Sequence, residues 1–317
     1  MDVTNVDQYI KSGIKVVINP GQEYFDQYQE RVSKTDSWNF RRNEYKLWLS
    51  SFDKYWMYMA IDEENDKVIC CVALALQRNK QGEALYSVGN YYCVTEWRGK
   101  GISNKLFGMM MEQVGTNNCT LFGAEQMSPL YASRYNFAIM NEFWHYSAEI
   151  NTSDLIIPNI PDGHTCKTIE EHDWEKLHEY DENISNMERR KYMKMSLSLD
   201  RTISRLVRND KGEIVGFGAI RMVYDNELVL CPLYADNLDA AVAITSSLLA
   251  SVPNISTFKC LASIYPEVNN DVSRLYSLIS NGKCKQTKEY CNQYTQKMMT
   301  FPQNKIFATD ECAHCPC

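Results

Sequence analysis

The sequence predicts a mixed α/β (α+β) protein built from two halves of one layout, each a sheet flanked by helices. Three observations point there. β-Branched and aromatic runs of strand length alternate with amphipathic stretches of helical period. A segment with two prolines and a glycine, NTSDLIIPNIPDGH (residues 151–164), divides the chain near its middle. Beyond it the order of elements returns, and RLYSLISNGK echoes PLYASRYNF at the corresponding place. At 317 residues the chain has room for two domains, 1–153 and 164–317, each able to bury a core.

Residues 12–19 (SGIKVVIN) read as a first strand, stopped by Pro20-Gly21. Two helical stretches follow from Glu23 to Phe52, broken near Ser37 to Phe40 and rich in aromatics, Trp38 and Trp48 among them. Strands are expected at Tyr55 to Ile61, Lys67 to Gln77 and Leu85 to Val94, joined by the polar turns EENDK and NKQGE. After a basic glycine turn, Ile102 to Val114 carries a stripe of Ile102, Leu106, Met109, Met110 and Val114, a helix that packs on a sheet. A strand at Thr120 to Glu125, a helix from Ser128 and a strand at Phe143 to Ile150 close the half. The second half reads as helices Glu170 to Tyr180 and Asn186 to Lys194, then strands Ile203 to Arg208, Ile214 to Met222 and Glu227 to Cys231. The turn PLYADN, a helix Leu238 to Ala250, a strand Thr257 to Leu261 and a helix Val272 to Ser280 complete it.

The turn VTEWRGKGIS, Val94 to Ser103, is where chemistry concentrates. Gly99 and Gly101 allow positive φ and a close backbone approach, so that successive N–H groups tilt toward one point. A helix beginning at Ile102 adds unpaired amides and the positive end of its dipole. Arg98 and Lys100 supply full charge. Together they suit a phosphate or pyrophosphate. The spacing is neither the Walker pattern nor G-x-G-x-x-G with an acidic residue about 20 positions on.

What the turn resembles is the acyl-CoA pyrophosphate loop of the GNAT superfamily of N-acetyltransferases, R/Q-x-x-G-x-G/A, filled here by Arg98, Gly101 and Ser103. The resemblance implies tandem acyl-CoA N-acyltransferase domains, each a mixed twisted sheet flanked by helices. It further implies a cofactor site of Val94, Arg98, Gly99, Lys100, Gly101, Ile102 and Ser103, in which the backbone near Val94 bonds the acetyl carbonyl in a gap between splayed strands. PLYASRYNF resembles the L-Y-x-x-x-G-F segment of that family. Tyr131 then protonates the departing CoA thiolate, and Asn136 stands where the family has glycine, a residue able to keep the left-handed turn. The first two helices would form a wall of the acceptor pocket, with Trp38 in it. A free amine is mostly protonated at neutral pH, so a base is needed; Glu125 and Glu96 are the nearby candidates, Glu125 the better placed.

The second half resembles the C-terminal domain of YitH/HolE-type proteins, including nematode members, through Tyr180-Asp181, LCPLYADNLDAA and QKMMTFPQNKIFATDE. Its loop is degenerate. Asp236 and Asn237 stand at the helix start, where a cap satisfies the amides and repels phosphate. One acyl-CoA site is therefore expected. The second domain would complete the acceptor pocket, with Asp181 facing a cationic acceptor, or support a homodimer.

Composition narrows the partners. With 33 basic and 40 acidic residues the net charge is −7, against a nucleic-acid binder's basic excess. MDVTNVDQYIKSG lacks the basic start and apolar core of a signal peptide, and the longest apolar run, Val68 to Leu76, is too short to span a bilayer. A cytoplasmic protein without membrane partners is expected. Of twelve cysteines most sit in apolar runs, as small hydrophobes do. The tail ECAHCPC is their only cluster; without a second C-x-x-C, no metal is expected at Cys312, His314, Cys315 and Cys317, and the tail reads as frayed or redox-sensitive. These readings converge on transfer of an acetyl group from acetyl-CoA to a small-molecule or peptide amine by direct attack. Two alternatives stay open: a non-catalytic acyl-CoA-binding module, and an anion-binding interaction protein.

Overall fold

The structure is a computed structural model that describes residues 13–315 and 317. Residues 1–12, which hold most of the segment read as lacking a leader signal, lie outside the described residues. The first half runs β1 (Ile14–Ile18), α1 (Gln22–Asp36), α2 (Glu44–Ser51), β2 (Lys54–Asp62), β3 (Lys67–Arg78), β4 (Ala84–Cys93), α3 (Ile102–Val114), β5 (Asn118–Ala124), α4 (Ser128–Tyr135), β6 (Ile139–Met140) and β7 (His145–Asn151). The second repeats it: β8 (His164–Lys167), α5 (Trp174–Ser185), α6 (Arg190–Leu197), β9 (Thr202–Asn209), β10 (Ile214–Val223), β11 (Glu227–Ala235), α7 (Leu238–Ser251), β12 (Cys260–Pro266), α8 (Asn270–Ser280) and β13 (Lys285–Tyr294), followed by β14 (Ile306–Ala308).

Helix α3 begins and ends where its apolar period does. It packs Leu106, Phe107 and Met110 against Val72, Leu74 and Val88 of the sheet. Three expectations change. PLYA is not a turn, since β11 runs through Pro232 to Ala235. Pro232 lies where the β10–β11 register shifts between Gly218 and Ile220, and at such an irregularity a missing N–H costs no ladder bond. Helix α5 continues past Tyr180 to Ser185 and is closed by Asn186 in the left-handed conformation. Strand β13 carries no apolar alternation and was not expected at all.

All strands join one sheet, in the order β1-β2-β3-β4-β5-β13-β7-β12-β11-β10-β9-β8. Each half places its last strand in the other's portion. β13 pairs antiparallel with β5, from Tyr290 opposite Ala124 to Tyr294 opposite Thr120, and β7 pairs with β12, from His145 opposite Pro266 to Asn151 opposite Cys260. On one face α3 and α4 cover the first half and α7 and α8 the second. On the other, α1, α2, α5 and α6 share a single core with Cys315 and Cys317.

Buried charges fasten that shared face. Arg41 makes two bonds to the Glu44 carboxylate and reaches across to Ser196 and Thr202. Arg189 holds Asp181 and lies 3.3 Å from Asp310, which also pairs with Arg221. Breaking one member of such a set strands a buried charge, typically at ~3–5 kcal/mol.

Candidate functional site

Strands β4 and β5 are parallel neighbours only from Leu85 opposite Asn118 to Val88 opposite Leu121. Beyond that they part. β4 follows β3 through a register shift at Asn90, whose φ is +53°, while β5 follows β13. The parting leaves a wedge. At its open end, on the β4 side, lies the basic turn.

There the chain makes a short 3-10 turn over Thr95–Trp97 and enters α3. Gly99 and Gly101 have φ of +77° and +83°, and a Cβ built on either meets nothing within 4 Å. Glycine is thus set by backbone conformation, and the space beside it is that of a cradle a side chain would fill. No side chain caps α3, and its first turn holds no acidic residue. Arg98 donates from Nε to the Cys93 carbonyl at 2.9 Å, and the Lys100 ammonium lies 4.4 Å from the Trp97 ring centre. Ile102 is buried and Ser103 half-buried, close to Tyr91, whose phenol burial pushes up to about 12. The residues present fit a pyrophosphate: two glycines, uncapped amides and two cations at one point.

Val94 differs from expectation. Its N–H donates to Ile69 at 2.9 Å and its carbonyl accepts from Trp97 at 3.0 Å, so neither is left for a ligand. Antiparallel alternation then turns the N–H and carbonyl of Cys93 toward the wedge, consistent with the Arg98 bond to that carbonyl. The amide that faces the wedge is therefore Cys93's. One residue of strand phase, shifted at Asn90, accounts for the difference.

Tyr131 is buried, its ring centre 5.8 Å from Phe107 and 6.2 Å from Tyr91, and burial raises its phenol. A raised pKa keeps it protonated, as a proton donor must be. Asn136 closes α4 at φ +63°, the left-handed conformation expected of it. Glu125 follows β5 and is exposed; Lys288 of β13 pairs with it at 2.6 Å. Trp38 is half-buried and lies against the Tyr290 phenol. Asp181 is placed elsewhere. It is buried, and Arg189 bonds both its oxygens at 2.7 and 2.9 Å, which leaves neither for an acceptor.

The largest departure is the tail. Far from frayed, it leaves β14 and runs beneath α2 onto the first half: Ser87 and Gln77 both donate to the His314 carbonyl, at 3.1 and 2.6 Å. Trp48, Tyr55 and Phe52 surround the His314 ring with centres 5.2–5.6 Å away, and burial pushes its pKa down to about 3. A small cavity remains between tail and wedge, lined by Ser87, Thr120, Phe122, Cys312 and His314. Among the described residues no group of His, Cys, Asp or Glu is placed to hold a metal ion. Sequence reading missed the tail because its burial rests on backbone bonds that no residue pattern announces.

In the second half the equivalent wedge is filled. β11 and β12 pair only at Leu228–Leu261 and Val229–Ala262; then β14 adds to β11, and Thr309 donates to the Ile264 carbonyl at 2.8 Å. The matching helix start is closed too. Asn237 caps α7 by accepting from Ala240 at 2.9 Å, and Asp236 binds Lys305 at 2.8 Å and the Tyr180 hydroxyl at 2.9 Å.

Two repeats of this topology, a parted strand pair in each and a basic glycine turn before an uncapped helix at one, define a tandem protein of the GNAT acetyltransferase fold. The chain belongs to the family described as protein of unknown function DUF1248, which matches residues 11–184, more than half its length. An acetyltransferase (GNAT) domain matches residues 177–289. Among solved structures it resembles a candidate acetyltransferase from Pyrococcus horikoshii, at 14% identity and TM-score 0.68, over 96% of this chain and 97% of that one. A tandem GNAT protein from the clavulanic acid biosynthesis pathway is 10% identical with TM-score 0.66, over 89% and 98% of the two chains. The N-myristoyltransferase of Saccharomyces cerevisiae, solved with myristoyl-CoA, is 8% identical with TM-score 0.60, over 97% and 85%. No curated protein matches the sequence. Among the described residues no helix is long and apolar enough to cross a membrane.

Proposed function

We propose that the chain is an acetyl-CoA-dependent N-acetyltransferase acting on a small-molecule or peptide amine, with one site, in the first half. The observation that carries this reading is the contrast between the repeats: an uncapped α3 behind two positive-φ glycines beside an open wedge, against a capped α7 beside a wedge closed by β14. Bound acetyl-CoA supplies an activated acyl group on a thiolate leaving group. Arg98, Gly99, Lys100, Gly101, Ile102 and Ser103 hold its pyrophosphate by charge and backbone amides. The Cys93 N–H polarises the acyl carbonyl. Tyr131 donates the proton that the departing thiolate needs, and Glu125, at the end of β5, takes the proton of the attacking amine.

The acceptor side is proposed to be shared by both halves. Trp38 comes from the first; Tyr290 and the tail at Cys312 come from the second. Twelve unpaired cysteines suit the cytoplasm, where thiols stay reduced. Thiol release from acetyl-CoA, measured across a panel of primary amines, tests the reading. Amine-dependent release establishes it; acetyl-CoA binding without release on any amine favours the non-catalytic module.

A further inference from the structure

Cys70 on β3 and Cys93 on β4 are direct cross-strand partners at the root of the anion loop. One position further on, Val94 donates to Ile69, so the cysteines form a non-hydrogen-bonded pair, the class whose Cα atoms approach to about 4.5 Å. Disulfides span Cα separations of about 4.4–6.8 Å. Both side chains face the α3 core, where the two thiols adjoin each other. Cys71, next along, lies in the core on the opposite face and donates to the Asn90 carbonyl.

The two thiols differ in a useful sense. Cys70 is fully buried, and the neighbouring Cys93 thiol, then burial, raise it. Cys93 is half-buried, beside Ser103 at the start of α3, and is held below the usual thiol range by the Cys70 thiol and by Arg98. Reactive thiolates sit in such electropositive, partly accessible places, and a neighbouring thiol resolves their oxidised form.

We propose that Cys70 and Cys93 form a reversible redox site, oxidised by hydroperoxides, whose disulfide switches off acyl-CoA binding at the adjacent loop. The Cys93 thiolate attacks hydrogen peroxide, forming an S–O bond and releasing hydroxide; Cys70 then attacks the Cys93 sulfur, the S–O bond breaks, and the departing hydroxide leaves as water with the Cys70 proton. Two electrons pass from the thiols to the peroxide. A dithiol reverses the bond by exchange. A disulfide most often holds its Cα atoms about 5.5–6 Å apart with its Cβ atoms near 3.8 Å, against about 4.5 Å between the Cα atoms of an unbridged pair of this class, so the end of β4 shifts relative to β3 when the bond forms. Cys93 anchors Arg98 through its carbonyl and leads directly into the loop, so the cradle moves with it.

The effect on binding rests on the acyl-CoA reading; formation of the bond does not. The test treats the full chain with hydrogen peroxide, alkylates the remaining thiols and maps peptides by mass, with acetyl-CoA titrated before and after. A linked Cys70–Cys93 peptide is expected, with acetyl-CoA affinity falling at least tenfold and returning with dithiothreitol. Cys70→Ala should bind acetyl-CoA like the wild type when reduced, and on peroxide treatment yield a Cys93 sulfenic acid trapped by dimedone. Full alkylation of both cysteines after peroxide overturns the site; a linked peptide with unchanged affinity overturns the switch. Should the reduced protein not bind acetyl-CoA, the acyl-CoA reading and the switch fail, and the linked peptide alone decides the redox site.

Discussion

Gly89 and Ala313 touch backbone to backbone: a methyl group at Gly89 would overlap the Ala313 carbonyl oxygen and stand 2.8 Å from its Cα. This contact seats the last residues of the second repeat on the strand that leads to the basic glycine loop of the first. It joins the tail to the wedge.

Replacing Gly89 with alanine tests that seat. Overpacking a close contact costs about 1–3 kcal/mol, and here the yielding partner is the tail. Cys315, now 1% exposed, is expected to react with a maleimide several-fold faster in Gly89→Ala, while acetyl-CoA affinity stays within about twofold. Unchanged labelling would show that the tail is not held there.

Tyr131→Phe should lower turnover by about a hundredfold, the range of a positioned acid, and leave acetyl-CoA affinity nearly unchanged, because the ring packing on Phe107 and Tyr91 survives. Thiol-release kinetics beside equilibrium titration separate the two. Equal turnover would return Tyr131 to a packing role.

Glu311 gives a pH signature. Its Oε1 is enclosed without a partner and its Oε2 accepts from Trp48 at 3.2 Å. Burial, then Glu44 and Asp310, push its pKa up to about 8 from the usual 4.5, against Arg221. A proton there leaves Glu44, Asp181 and Asp310 to balance Arg41, Arg189 and Arg221. The folded state holds this proton between pH 4.5 and 8 and the unfolded state does not, so the contribution is full below pH 4.5 and is lost as pH rises through 8. Glu311→Gln should flatten that slope. Its melting temperature relative to the wild type should rise by at least ~2 °C from pH 5 to pH 8, the shift of about 1 kcal/mol in a chain of this size. Parallel curves would place the proton elsewhere.

Local signals were legible in the sequence and pairing was not. Gly101 and the apolar period from Ile102 to Val114 set α3 without help from the rest of the chain. β13, KQTKEYCNQY, showed no alternation because its inner face is polar: Asn292 accepts from Thr120 at 2.7 Å in the middle of the sheet. The exchange of β7 and β13 therefore left no mark. Asp181 read as a free carboxylate because its partner Arg189 is on another helix's approach, and Val94 read as the ligand amide because a register shift at Asn90 has no residue signature beyond an asparagine able to take positive φ.

Isothermal titration of the full chain with acetyl-CoA, beside Gly101→Glu, decides whether a single acyl-CoA site lies at the first repeat's loop. A side chain at φ +83° with its carboxylate in the anion cradle should abolish binding and leave the fold intact, since nothing stands within 4 Å of the added Cβ. One site per chain is expected, lost in the variant. Two sites, no binding by the wild type, or undiminished binding by Gly101→Glu would contradict it.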